Sequence, residues 1–165
     1  MSGRYNISPT KDNKGYEFIT SSGSKYLTYF TEFILTDSNY EEVKVISVSF
    51  ICSRTKVKYV YDKKVESTVV SIIFDFFKDV NQHSILYICL NNDGSARGRG
   101  ITFSRWFNKV NVVGNYEMYK SSPKYASLGF YSALIVKNDY TLKQYVISAY
   151  YHTIDIHWGL SDEQH

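Results

Sequence analysis

Cysteine and proline are nearly missing from this chain, which holds two of each. Two cysteines cannot make the dense cross-linked framework of a small secreted domain. Cys52 and Cys89 each sit in an apolar, strand-like run, VISVSFICS and SILYICL, where a buried thiol is expected. Few prolines mean few forced chain breaks. No apolar run reaches the roughly 18 residues of a membrane span, and no apolar leader precedes the first strand-like segment. The expected compartment is therefore the cytoplasm, with no membrane partner. Excess charge is also lacking. Nineteen Lys and Arg stand against 16 Asp and Glu, a net +3 that suits solubility and falls short of a dedicated nucleic-acid binder.

Catalytic signatures are missing as well. No G-x-S-x-G elbow, P-loop or G-x-G-x-x-G occurs. Asp75 and Asp79 lie four apart on a predicted helix, opposite its apolar stripe, and read as a solvated face. No cofactor is implied.

Aromatic residues are abundant, at 17% with 16 Tyr and 10 Phe, and they bias the chain toward sheet. The hydrophobic fraction of 44% is that of a globular protein. The 165 residues fit one domain, which would bury roughly 70% of the surface its unfolded chain exposes.

Residues 1–15 are polar and read as an arm or loop, and 161–165 as a mobile tail. Tyr16, Phe18 and Thr20 alternate, Ser21–Ser24 makes a turn, and Tyr26 to Phe33 follows as a second strand. Val43 to Cys52 alternates cleanly as a third. The period then lengthens: Val65, Val69, Ile72, Ile73, Phe76 and Val80 predict a helix over 63–80, capped by Asp62. Ser84 to Leu90 is a short apolar strand, and Asn91 to Gly94 a turn. Phe103, Trp106, Phe107 and Val110 predict a second helix over 96–110, with Gly98 and Gly100 disturbing its start. Ala126 to Lys137 and Leu142 to Trp158 read as a long hairpin turning at Asn138-Asp139. The predicted fold is α+β, in the order β-β-β-α-β-α-β-β. A mostly antiparallel sheet of about six strands carries two helices on one face.

One block resembles a known family. Asp62, Val65 and Thr68 form D-x-x-V-x-x-T, followed by an amphipathic helix and a strand ending in Ile88-Cys89. Then come Asp93-Gly94, Arg99, and Phe103 with Trp106-Phe107 as F-x-x-W-F. This stretch, residues 61–107, resembles a family of small bacterial proteins known as a domain of unknown function. Leu90 departs from the family's acidic position, and the helix start here is glycine-rich. The resemblance implies an intracellular bacterial protein and no assigned activity.

Two constellations could carry function. The stretch from Asn91 to Gly100 combines three glycines and two arginines with a helix start. Unpaired amide hydrogens, the helix dipole and guanidinium forks can hold an anion there. Its candidate ligand residues are Asn92, Arg97, Arg99 and Arg105. The competing reading is a solvated strand-to-helix loop. In the second constellation, Asp155 and His157 share one face if 142–158 is a strand, making half a metal site that lacks a third ligand. Solvent exposure of that face is the simpler account.

These features point to a non-enzymatic, intracellular binding or regulatory module acting on another macromolecule, its tyrosines suited to an interface. The alternative is a nucleotide- or nucleic-acid-binding protein using Arg97, Arg99 and Arg105. A metal-dependent hydrolase stands third. The expected partner is a protein or a phosphate-bearing ligand, and a homodimer remains open.

Overall fold

Strand formers at period two build the longest strands of the computed structural model. It describes residues 3–53, 62–90, 96–111, 114–126 and 130–158, with backbone alone at 90, 96–99, 110, 126, 157 and 158. In chain order the elements are β1 (Ser8–Pro9), β2 (Gly15–Ile19), β3 (Lys25–Thr36), β4 (Glu42–Ser53), α1 (Lys63–Phe76) and β5 (Ser84–Leu90). There follow α2 (Ala96–Val110), β6 (Tyr116–Lys120), α3 (Pro123–Ala126), β7 (Phe130–Lys137) and α4 (Lys143–Trp158). The strands form one sheet in the order β1-β2-β3-β4-β5-β7-β6. The pairs β1–β2, β2–β3, β5–β7 and β6–β7 are antiparallel. The α+β class and the antiparallel character are as the sequence predicts. The described strands number seven rather than about six, and the helices four rather than two.

The chain divides into two compact units, residues 1–31 with 48–82, and 32–47 with 83–165. In the first, Asp62 caps α1 as expected, accepting the Lys64 amide hydrogen at 2.9 Å. The expected N-terminal arm is tied down there. The Tyr5 hydroxyl donates to Asp62 Oδ2 (2.6 Å), its amide donates to Thr68 Oγ1 (2.9 Å), and its ring stacks on Phe18. Helix α1 stops at Phe76, four residues short of the predicted 80. Asp79 accepts the Asn81 amide at 2.9 Å, a local turn that competes with helix, and Val80 is 78% exposed.

In the second unit, β5 and β7 are covered on both faces. Leu86, Leu134 and Val136 pack with Val146, Ile147 and Tyr150 of α4. Alternate residues turn the other way: Tyr87 stacks on Phe103 of α2 at 4.2 Å, and the Tyr131 hydroxyl lies 2.9 Å from Ser104 Oγ. Helices are thus not confined to one face.

The expected terminal hairpin is overturned. Strand β7 spans 130–137, and residues 143–158 are helix α4. Its buried residues Val146, Ile147, Tyr150, Thr153 and Ile154 recur at helical spacing, which buries one side against β5 and β7. Thr153 Oγ1 donates to the Ala149 carbonyl (2.8 Å) and accepts the Thr36 amide hydrogen (2.7 Å), fastening α4 to the end of β3.

Candidate functional site

Of the residues singled out from sequence, three fall on α2 and two on α4. Asn92 lies outside the described residues. Arg97 and Arg99 fall in the first turn of α2, and Arg105 is exposed further along it. Eight residues of helix separate Arg97 from Arg105, about 12 Å along the axis.

Asp155 and His157 lie on α4, not on a strand. Two residues apart on a helix differ by about 200° around its axis, so they do not share a face. The shared-face metal half-site therefore falls with the strand assignment. Asp155 Oδ1 accepts the Tyr125 hydroxyl at 2.6 Å, which pushes that phenol up to about 12. His152 Nδ1 lies 2.8 Å from the Thr36 carbonyl, and His83 stacks on Tyr140 at 4.4 Å. Among the described residues no three His, Cys, Asp or Glu cluster as metal ligands.

Three of the described tyrosines serve the interior. Tyr87, Tyr125 and Tyr150 are buried. The Tyr150 hydroxyl lies 2.7 Å from Ser132 Oγ, and burial pushes its pKa up. Tyr119 donates to Glu117, which holds the phenol up to about 12, and Glu117 pairs with Lys143 at 2.9 Å. The Tyr119 and Tyr125 phenols stay protonated at neutral pH and donate to their carboxylates.

A cleft does form within the first unit, from residues remote in sequence. Pro9 of β1, Asn13 and Lys14 of the following turn, and Gly15 and Tyr16 of β2 make one wall. Phe30 of β3 and Ile72, Asp75 and Phe76 of α1 complete it, enclosing about 570 Å³. The 10–15 turn is firmly built. Thr10 N–H donates to the Gly15 carbonyl (3.0 Å) and Asn13 N–H to the Thr10 carbonyl (2.9 Å), with Asn13 at φ 56°. Asp12 accepts the Thr10 hydroxyl (2.6 Å) and the Lys14 amide hydrogen (3.1 Å), and these bonds lower its pKa. The floor is aromatic. Phe30 and Phe76 stack at 5.2 Å and 4°, and Tyr16 meets Phe30 edge-on at 6.4 Å. Asp75 is bridged to Lys78 at 2.7 Å.

The lining holds no Ser, Thr, Cys or His; Tyr16 brings a phenol, Lys14 a cation and Asp75 a carboxylate. Three aromatic rings with one cation and one anion suit contact with an apolar or aromatic group. Sequence reasoning missed this cleft. Pro9 falls in the expected arm or loop, Asp75 reads as a solvated acid, and Tyr16 and Phe30 as ordinary strand aromatics; only tertiary folding brings them together.

No curated protein and no solved structure matches the chain. A family match covers more than half of it, from the start of α1 into α4. The resemblance seen in the Asp62–Phe107 block thus extends well beyond that block, and the chain belongs to the family of unknown function DUF6169, matched over residues 61–151.

Proposed function

We propose that the protein is a non-enzymatic binding or regulatory module that acts on another macromolecule through the cleft of its first unit. The observation that carries this reading is a cleft of about 570 Å³ lined by Tyr16, Phe30 and Phe76. Stacked Phe30 and Phe76 provide the apolar contact, and Lys14 and Asp75 at the rim give orientation. The same reading places the protein in a reducing cytoplasm, supported by Cys52 and Cys89 being thiols rather than a disulfide. No described helix is long and apolar enough to cross a membrane.

A photo-crosslinking phenylalanine analogue at Tyr16, compared with one at exposed Ser148, tests the cleft. A discrete cellular product from position 16 alone, lost on Lys14→Glu, supports the reading. The same products from both positions would refute it.

The second reading, a nucleotide or nucleic-acid partner, is favoured by α2, which carries Arg97, Arg99, Arg105 and Lys109 without a single acid. A labelled single-stranded oligonucleotide whose affinity falls with salt and with Arg105→Glu would support it. Unchanged affinity in both comparisons would remove it.

A further inference from the structure

The two charged side chains that line the cleft of the first unit, Lys14 and Asp75, differ in their surroundings. Asp75 Oδ1 is bridged to Lys78 Nζ at 2.7 Å, so its charge is answered on its own helix. Lys14 is exposed, and among the described residues its ammonium makes no ion pair and no hydrogen bond. Asp12, two residues away, is committed to the turn. Its Oδ1 accepts both the Thr10 hydroxyl (2.6 Å) and the Lys14 amide hydrogen (3.1 Å). Those bonds lower the Asp12 pKa, and the Lys14 charge contributes least to the shift.

The base of the Lys14 side chain is fixed beside the aromatic part of the lining. Its carbonyl accepts the Phe30 amide hydrogen at 3.0 Å, and the Phe30 ring stacks on Phe76 at 5.2 Å. Asn13, the next residue along the same wall, is exposed, and among the described residues its side-chain amide is unbonded. The cleft thus joins three aromatic rings to a cation with donor hydrogens to give, while its carboxylate already has a partner.

We propose that the partner protein presents to this cleft an aromatic side chain with a carboxylate beside it. The inference rests on the cleft reading and names the chemistry of its occupant. The partner's ring lies against Tyr16, Phe30 and Phe76, and its carboxylate pairs with the Lys14 ammonium. A cation in place of that carboxylate meets Lys14 as a like charge and gains little from Asp75, which Lys78 already answers. Nucleic acid also offers flat rings, but its phosphates repeat along the chain. A lining with one cation, accompanied by Asp12 and Asp75, suits a single carboxylate better.

Nuclear magnetic resonance titration of the full chain tests it, read at the amides of Gly15, Tyr16 and Phe76. The probes are three capped tetrapeptides with glycine at both ends. Their central pairs are phenylalanine–glutamate, phenylalanine–lysine and alanine–glutamate. The phenylalanine–glutamate peptide should bind about fivefold more tightly than either of the others, and its lead over phenylalanine–lysine should shrink as salt rises. Lys14→Gln should abolish that lead, and Lys14→Glu should reverse it. Should Lys14→Glu fail to fold by circular dichroism, Lys14→Gln decides. Equal binding of the two phenylalanine peptides, or a lead that survives Lys14→Gln, would overturn the carboxylate and leave the cleft reading standing. Unshifted amides at millimolar peptide, or displacement of the phenylalanine–glutamate peptide by a single-stranded oligothymidylate, would also overturn the inference. The crosslink at position 16 then judges the cleft reading by itself.

Discussion

Gly100 of α2 lies against the ring of Tyr131 so closely that a Cβ at Gly100 would fall 2.4 Å from two ring carbons. The ring has little room to yield, since its hydroxyl lies 2.9 Å from Ser104 Oγ, one turn along the same helix. Glycine here is a packing device, and the helix runs unbroken through it from Ala96 to Val110.

Gly100→Ala should therefore destabilise the protein, although alanine gains about 1 kcal/mol in intrinsic helix propensity. The overpacking term of about 1–3 kcal/mol opposes that gain and exceeds it over most of its range. Urea denaturation of Gly100→Ala, Tyr131→Leu and the double variant should show the two changes coupled, with the alanine tolerated better beside leucine. Additive effects would sink the packing account.

Gly15→Ala should cost more, about 3 kcal/mol or beyond. Its Cβ would sit 1.7 Å from the carbonyl oxygen of Thr28, a backbone atom of the paired strand that cannot rotate away. Because Gly15 also lines the cleft, the variant should be compared by melting temperature before any binding assay.

Thr153→Val should destabilise by about 1–3 kcal/mol, because the buried hydroxyl accepts the Thr36 amide at 2.7 Å and valine leaves that donor without its partner. Thr153→Ser keeps the oxygen and should recover most of the loss. A loss confined to Thr153→Ser, with Thr153→Val unchanged, would show that the methyl group, not the hydrogen bond, matters.

The tyrosine–carboxylate pairs predict an alkaline transition. Tyr125 and Tyr119 are pushed up to about 12 by Asp155 and Glu117, above the ordinary phenol value of 10.0. A raised folded-state pKa contributes stability that is complete below the unfolded value and is lost as pH rises through the folded one. Stability should therefore fall between about pH 10 and 12, and Tyr125→Phe should flatten that slope.

At the acid end the sign reverses. Asp37 accepts the Glu41 and Asn39 amides at 2.8 and 2.9 Å, which hold its carboxyl below the ordinary 3.8. Its contribution is present above that value and disappears as pH falls through the lowered one. Asp37→Ala should reduce stability at neutral pH and show a shallower acid limb. An acid limb identical to wild type would remove Asp37 from the account.

Much of this fold is legible locally. The period-two run from Val43 to Cys52 is β4, the stripe from Val65 to Phe76 with its Asp62 cap is α1, and 96–110 is α2. Each follows from the spacing of apolar residues along one element and needs no partner to be read. Strand β6 escaped notice because Tyr116–Lys120 is a short, polar-flanked run whose place at the sheet edge is set only by pairing with β7.

The sequence by itself determined the α+β class, the two central helices, the turn at Asn138-Asp139 and the thiol state of the cysteines. Tertiary structure decided the rest, and α4 shows why. Residues 143–158 are rich in β-branched and aromatic side chains and would suit a strand by propensity. Burial of Val146, Ile147, Tyr150 and Ile154 on Leu86, Leu134 and Val136 selects the helix, because packing outweighs a propensity difference of at most about 1 kcal/mol per residue. The cleft is likewise invisible in the chain: Pro9, Phe30 and Phe76 lie tens of residues apart, and they meet only where α1 packs on β3 through the stacked Phe30 and Phe76 rings.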